Sequence, residues 1–345
     1  MCRWFAYVSA DEPCLLEDVL ITPAHGLVHQ VSEHYLPRLL PHDPTNITKG
    51  TLIAARNSLY NIDGLGVAWY TTAAAEFNAA VHGARPVAYK TICPPLNDLN
   101  FRSLCAGAAS AVVFAHIRAS SGTPVAAVNN HPFVFGRHCF MHNGVVSGFT
   151  EIRRRLCAEL GDDAFGGVLG SADSEHVAAL YMTYLTGGRG KESWELEYPA
   201  HDMAAALHKA VVKVIEIQQE VLGSRAAPNS LNLAVTDGRR LVAYRFRNHA
   251  TEDPPSLYYS TTAGTTLNRK YPGHPNGGDN ASATRAAAEH GSHVIIASEP
   301  TTFQEEQWSL IPRNSCLIVE RQGVMEVEAV PYEDRWNAED PYAPR

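Results

Sequence analysis

Leu231-Asn232-Leu233-Ala234-Val235-Thr236-Asp237-Gly238-Arg239-Arg240-Leu241-Val242-Ala243-Tyr244-Arg245-Phe246 reads as a hairpin, with apolar runs at Leu231–Val235 and Leu241–Phe246 on either side of Asp237-Gly238. An Asp-Gly pair suits a tight turn because glycine takes positive φ without a Cβ clash. What surrounds the hairpin decides the fold. Just upstream the pattern is helical. One helix is expected from the cap candidate Thr150 through Glu151–Leu160, and a second from Ser171–Asp173 to Thr186, stopped by Gly187-Gly188. A third spans Met203–Leu222, with Ala, Val, Ile and Leu at helical spacing and Gly223 just past its end. Farther upstream, Cys2–Val8, Gly66–Trp69, Glu76–Val81, Val112–His116 and Cys139–His142 read as strands. Downstream, Leu257–Ser260, His293–Ala297, Cys316–Val319 and Val324–Val330 read the same way. Strands, then helices, then strands is the order of an α+β protein, not the alternation of a doubly wound sheet.

The chain has 345 residues, 45% apolar and 19% charged, which is enough to bury a sizeable core. Length alone suggests two domains, yet layered folds of this size also occur as one. Twenty-eight Lys and Arg against 36 Asp and Glu leave a net charge of −8, the wrong sign for a phosphate-backbone binder. No apolar run approaches the ~20 residues that span a bilayer, and no basic-then-apolar leader opens the chain. The expectation is a cytoplasmic chain with neither nucleic acid nor membrane as partner. Seven cysteines, at 2, 14, 93, 105, 139, 157 and 316, form no C-x-x-C pair and read as reduced thiols, mostly small buried hydrophobes. Asn268–Ser292, rich in Gly, Pro, Asn and Ser, reads as an insertion in a surface loop. The residues after Pro331 read as a tail. Thr22–Gln30 and Asp43–Asp63 are candidate lid loops.

Four features carry chemistry. Cys2 follows the initiator Met1, and a small second residue favours methionine removal, which would leave a terminal cysteine. Its α-amine, with a reference pKa of ~7.7–8.0, could then act as base for its own thiol. Next, Phe114-Ala115-His116-Ile117-Arg118-Ala119-Ser120-Ser121-Gly122 delivers an arginine and small polar residues at a strand end, and a guanidinium can clamp a carboxylate bidentately. Third, Met141-His142-Asn143-Gly144 follows a strand, and an Asn amide with a Gly N–H are the donors of an oxyanion hole. Fourth, Asp173 opens a helix and could pair with an ammonium. In isolation each has an ordinary role: a start-codon accident, a structural ion pair, an Asn-Gly turn, a helix cap. His138, Cys139 and His142 do not suggest a metal, because strand alternation sets Cys139 on the face opposite both histidines. Gly64-Leu65-Gly66 lacks the third glycine of a dinucleotide loop. No cofactor is expected.

In order and type, the four features resemble the class II glutamine amidotransferase domain of the N-terminal nucleophile hydrolases. Met1-Cys2-Arg3, Thr22-Pro23-Ala24-His25, Asp63-Gly64-Leu65-Gly66-Val67-Ala68-Trp69-Tyr70 and Ile296-Ala297-Ser298-Glu299-Pro300 with Trp308 add to it. They are similar to the fungal subunits that degrade glutathione beside a metallopeptidase-like partner, and to the γ-glutamyl hydrolases of ergothioneine synthesis. The resemblance implies a four-layer αββα sandwich over residues 2–330, interrupted by the insertion near 268–292 and followed by a tail at 331–345. It implies Cys2 as nucleophile, Asn143 and Gly144 as oxyanion donors, Arg118 as the site of the glutamyl carboxylate and Asp173 of its ammonium, with Ser120 and Ser121 in support. Many ammonia-transferring relatives have Trp or Tyr and then Thr after the arginine. Ala119-Ser120-Ser121 leaves more room there. The implied reaction is hydrolysis of a γ-glutamyl amide through a Cys2 thioester, most naturally in glutathione or a related thiol peptide. Two alternatives stay open: a glutaminase feeding ammonia to a separate synthetase, and a partner-dependent or non-catalytic subunit of a glutathione-degrading complex.

Overall fold

The computed structural model describes residues 2–31, 61–120, 122–272, 274, 285–302 and 304–339. In chain order the first strands and helices are β1 (Arg3–Ser9), β2 (Cys14–Leu15), α1 (Leu16–Leu20), β3 (Leu65–Thr71), α2 (Ala73–Phe77), β4 (Arg85–Thr91), α3 (Leu99–Gly107), β5 (Ala109–Ser110) and β6 (Val112–Ile117). The middle holds β7 (Phe133–Phe135), β8 (His138–Val145), α4 (Phe149–Cys157), α5 (Asp162–Gly166), α6 (Asp173–Thr186), α7 (Ala200–Leu222), β9 (Ser230–Thr236) and β10 (Leu241–Arg247). Then come β11 (Tyr258–Ser260), β12 (His293–Ala297), β13 (Ser309–Leu310), β14 (Ser315–Val319) and β15 (Met325–Ala329). The chain divides into two compact units: residues 1–132 with 256–310 and 321–323, and residues 133–255 with 311–320 and 324–345. Each mixes helices with antiparallel sheet, so the α+β class holds.

Among the described residues, the first unit carries a seven-stranded sheet in the order β13-β11-β12-β1-β6-β3-β4. Strand alternation gives β1 two faces. Phe5 and Tyr7 enter an apolar cluster with Leu16 and Leu20 of α1, Ala115 and Ile117 of β6, and Ile295 and Ala297 of β12. Trp4 and Ala6, on the other face, are fully buried as well. A strand covered on both faces has no polar positions to spare, which is why Trp4–Val8 is an unbroken apolar run. α3 begins where Asp98 Oδ1 accepts the Phe101 N–H at 2.9 Å, satisfying a donor that the first helical turn leaves unpaired.

Two expectations fail in this unit. Glu76–Val81 is not a strand: the alanines at 73–75 form α2, and the sheet is completed by β4, paired from Leu65↔Thr91 to Thr71↔Arg85. Arg85, Pro86 and Lys90 hide β4 from an apolar-pattern reading, and they are the residues an edge strand tolerates. The candidate lid Thr22–Gln30 is packed down, with Leu27 and Val28 in the apolar cluster and the Gln30 amide donating to His25 O at 2.9 Å. The start of Asn268–Ser292 is likewise interior. Tyr271 is fully buried and donates to Glu12 at 2.8 Å, and Arg269 reaches Asp18 and Glu17 at 2.6 and 2.7 Å. Buried carboxylates need such partners, so composition misled there. Residues 43–60 and 275–284 lie outside the described residues.

The second unit's six strands run β15-β14-β10-β9-β8-β7, with α6 and α7 over one face. Leu231, Leu233 and Val235 of β9 and Val242, Tyr244 and Phe246 of β10 meet Leu180, Leu207, Val211 and Val214 there. The β9–β10 hairpin forms as read, with Gly238 at φ 88° and the Arg239 and Arg240 N–H groups donating to Asp237 Oδ1 at 2.9 and 2.8 Å. α4 starts at Phe149 after Gly148, not after Thr150, and α7 starts at Ala200, three residues early, where Glu320 accepts the Ala200 N–H at 2.7 Å. No helix among the described residues is long and apolar enough to cross a membrane.

Candidate active site

In the first unit, the register of β1 on β6 (Arg3↔Ile117, Trp4↔His116) carries Cys2 to the rung beside Arg118. The Ala119 N–H donates to Cys2 Sγ at 3.3 Å, and Sγ lies 3.4 Å from Ala119 O. Burial pushes the thiol above its ordinary pKa. The Ala119 backbone and the positive charges of Arg118 and Arg3 pull it back part of the way. Arg118 is 4% exposed, and its guanidinium donates to Pro124 O at 3.2 Å, Asn130 Oδ1 at 3.4 Å, Ser120 Oγ at 3.3 Å and the Thr123 hydroxyl. Asn130 in turn donates to Thr91 O at 2.7 Å. The Ser120 N–H donates to Asp63 Oδ2 at 2.6 Å, and its hydroxyl to Thr123 O at 2.6 Å. Ser121 lies outside the described residues.

β1 is also fixed from its other edge. Phe5 pairs with Ala297, and the Trp4 and Ser298 main chains meet through Ser298 N–H to Trp4 O at 3.0 Å. Ser298 Oγ accepts the Trp4 N–H at 3.0 Å. Arg3 Nε donates to Glu299 Oε1 at 2.7 Å and its Nη1 to Cys2 O at 3.0 Å, with the two side chains 4% and 0% exposed.

In the second unit, Asn143 and Gly144 stand near the end of β8, opposite Asn232 and Leu231 of β9. Phe140 belongs to the helix-covered face, so alternation turns Asn143 to the opposite face. Gly144 has φ 151°, and a Cβ there would stand 1.8 Å from Ser230 O, which admits only glycine. Asp173 heads α6, and its carboxylate accepts the Val146 N–H at 2.9 Å and the Ser174 N–H at 2.7 Å. It thereby ties the first turn of the helix to the chain just past Asn143-Gly144. His142 bridges the same parts, with Nδ1 2.9 Å from Ser174 Oγ and Nε2 3.0 Å from Ser230 O. These bonds give His142 a structural task in place of a metal.

The structure thus groups the expected residues within each unit: Cys2, Arg118 and Ser120 in one, Asn143, Gly144 and Asp173 in the other. Asp63, Thr123 and Asn130, which hold Arg118 and Ser120, carried no expected role. Their signal was present only for Asp63, which directly precedes Gly64, whose carbonyl accepts the Arg118 N–H at 2.8 Å.

Comparison with known proteins identifies the family. Residues 50–343 match the family model of the class-II glutamine amidotransferases. The chain is 29% identical over 348 residues to the probable glutamine amidotransferase DUG3 of Saccharomyces cerevisiae, covering 99% of this chain and 87% of that protein. Among solved structures, a glutamine aminotransferase class-II domain protein from Silicibacter pomeroyi shares the fold with a TM-score of 0.57 at 21% identity, over 95% of this chain and 99% of that one. An allosteric regulatory enzyme of purine biosynthesis shares it at 0.51 and 11% identity, over 95% of this chain and 49% of its own. With most of its length inside the family match, the chain belongs to the class-II glutamine amidotransferases.

Proposed function

We propose that this chain is a cysteine-dependent hydrolase of γ-glutamyl amide bonds, acting on glutathione or a related γ-glutamyl thiol peptide in the cytoplasm. The observation that carries the reading is the seat of Cys2 one rung from Arg118, with Sγ on the Ala119 backbone. After removal of Met1, the freed α-amine takes the proton of the Cys2 thiol and the thiolate attacks the γ-carbonyl carbon. Asn143 and the Gly144 N–H stabilise the oxyanion, and the amine leaves with a proton. Water then hydrolyses the thioester, releasing glutamate and restoring the thiol. Arg118, with Ser120 and Ser121 in support, holds the α-carboxylate, and Asp173 holds the α-ammonium. Family membership and the match to a probable glutamine amidotransferase over nearly the whole chain support this division of labour. The small side chains of Ala119 and Ser120 support a leaving group larger than ammonia. The reading includes the four-layer αββα arrangement over residues 2–330, with the 268–292 insertion and a tail at 331–345, and a metallopeptidase-like partner subunit.

The test is to incubate Met1-processed protein with glutathione and, separately, with glutamine, beside a Cys2→Ala control. Glutamate and Cys-Gly released from glutathione only when Cys2 is present is the expected result. Ammonia from glutamine alone would replace it with the glutaminase reading. Silence on both substrates from correctly processed protein would reject a self-sufficient hydrolase.

A further inference from the structure

We infer that the buried Arg3–Glu299 pair is a positioning device for Cys2, an inference that rests on the reading of Cys2 as nucleophile. The β1–β12 register runs Phe5↔Ala297, then Trp4 beside Ser298, so the next rung sets Arg3 across from Glu299. Alternation puts both on the face of Phe5, Tyr7, Ile295 and Ala297, an apolar cluster. A desolvated ion pair is a poor way to stabilise such a face, where two apolar side chains would do as well or better. What an apolar pair could not do is hold a carbonyl. The guanidinium does so: Nε donates to Glu299 at 2.7 Å while Nη1 donates to Cys2 O at 3.0 Å.

Cys2 is therefore gripped from two sides. Ala119, just past β6, holds its sulfur, and Glu299, just past β12, holds its main chain through Arg3. With carbonyl and sulfur both held, rotation about the Cα–C bond is restricted, and with it the directions of the Cα–Cβ bond and of the α-nitrogen. Nucleophile and base then sit on one anchored carbon, and a displacement of ~1 Å at such a centre can cost about a hundredfold in rate. Glu299 orients the guanidinium and offsets part of the charge it brings toward the thiol. Arg3 and Glu299 touch neither substrate nor reacting atoms in this scheme, and they act through Cys2.

Two variants of the full, Met1-processed chain test this, Glu299→Gln and Arg3→Lys, each with two readouts. The first is the pH profile of Cys2 alkylation by iodoacetamide, followed by mass spectrometry, which requires no substrate turnover. The second is kcat and KM for glutamate release, normalised to alkylatable Cys2. In Glu299→Gln the loss of the carboxylate charge should move the alkylation midpoint down by about 0.5 in pH. Its kcat should nonetheless fall about tenfold or more, with KM changed less than twofold. A thiol that ionises more readily yet works less well is the mark of lost positioning. Arg3→Lys keeps the charge but not the fork, so its midpoint should stay while kcat falls similarly. Unchanged kcat per reactive Cys2 in both variants would reduce the pair to a structural one and overturn the inference. If wild type hydrolyses neither glutathione nor glutamine, the functional reading fails by itself, and an unmoved alkylation midpoint in Glu299→Gln then overturns the coupling to Cys2. If Glu299→Gln does not fold, Arg3→Lys decides through kcat.

Discussion

Gly144 shows how far one residue can be pushed by its neighbours. Its φ of 151° and the 1.8 Å gap from a built Cβ to Ser230 O leave no room for alanine without separating β8 from β9. Gly144→Ala should lower stability by about 2–4 kcal/mol, read as a fall in Tm, and should remove activity even in the folded fraction. Arg118→Lys tests the other unit. A lysine cannot reproduce the fork that meets Pro124, Asn130 and Ser120 together, so kcat/KM should drop by about 10–100-fold, mostly through KM. A change confined to kcat would point away from substrate binding. At this scale the sequence was legible where chemistry imposes a residue type. Cys2, Arg118, Asn143, Gly144 and Asp173 each stood out by type and place. Thr123 and Asn130 did not, because a residue that supports another through a loop contact has no spacing rule to betray it.

Elements were legible in proportion to their burial. β9, β10 and β12 emerge almost as read because covered strands are apolar throughout. β4 was missed because an edge strand keeps Arg85, Pro86 and Lys90, and α3 because only Phe101 and Cys105 of its residues are buried. The missed helix offers a clean measurement. Asp98→Ala removes the acceptor of the Phe101 N–H and should cost about 1 kcal/mol in a denaturant titration, with an unchanged slope. A central element should behave otherwise. Leu207 of α7 is fully buried in the second unit's core, so Leu207→Ala should cost about 2–5 kcal/mol. A cost under 1 kcal/mol there would mean the helix face repacks freely.

Across the whole molecule, acid is the expected weak point. His138 in one unit and His293 in the other are both held, chiefly by burial, at a pKa of about 4, well below the ~6.5 of an unfolded histidine. A depressed histidine favours the fold in its neutral form. The stability it contributes is present above pH ~6.5 and is lost as pH falls toward 4. On that difference each contributes a loss on the order of 3 kcal/mol by pH 4. Thermal melts between pH 7 and 4 should show Tm falling steadily, with His138→Gln flattening the slope. A flat profile in the wild type would remove both histidines from this account.

Glu12 deserves a last consequence. Asn268, Lys270 and Tyr271 come to its carboxylate at 3.2, 3.2 and 2.8 Å, Arg285 lies 3.8 Å from it, and the Arg285 N–H donates to Lys270 O at 3.2 Å. One buried carboxylate thus gathers Asn268, Lys270, Tyr271 and Arg285. Removing that carboxylate would leave the buried Tyr271 hydroxyl short of its acceptor, at a cost of about 1–3 kcal/mol. Glu12 is in that sense a keystone: Glu12→Ala should melt at a lower temperature than the wild type, and an unchanged Tm would show the four groups to stand without it.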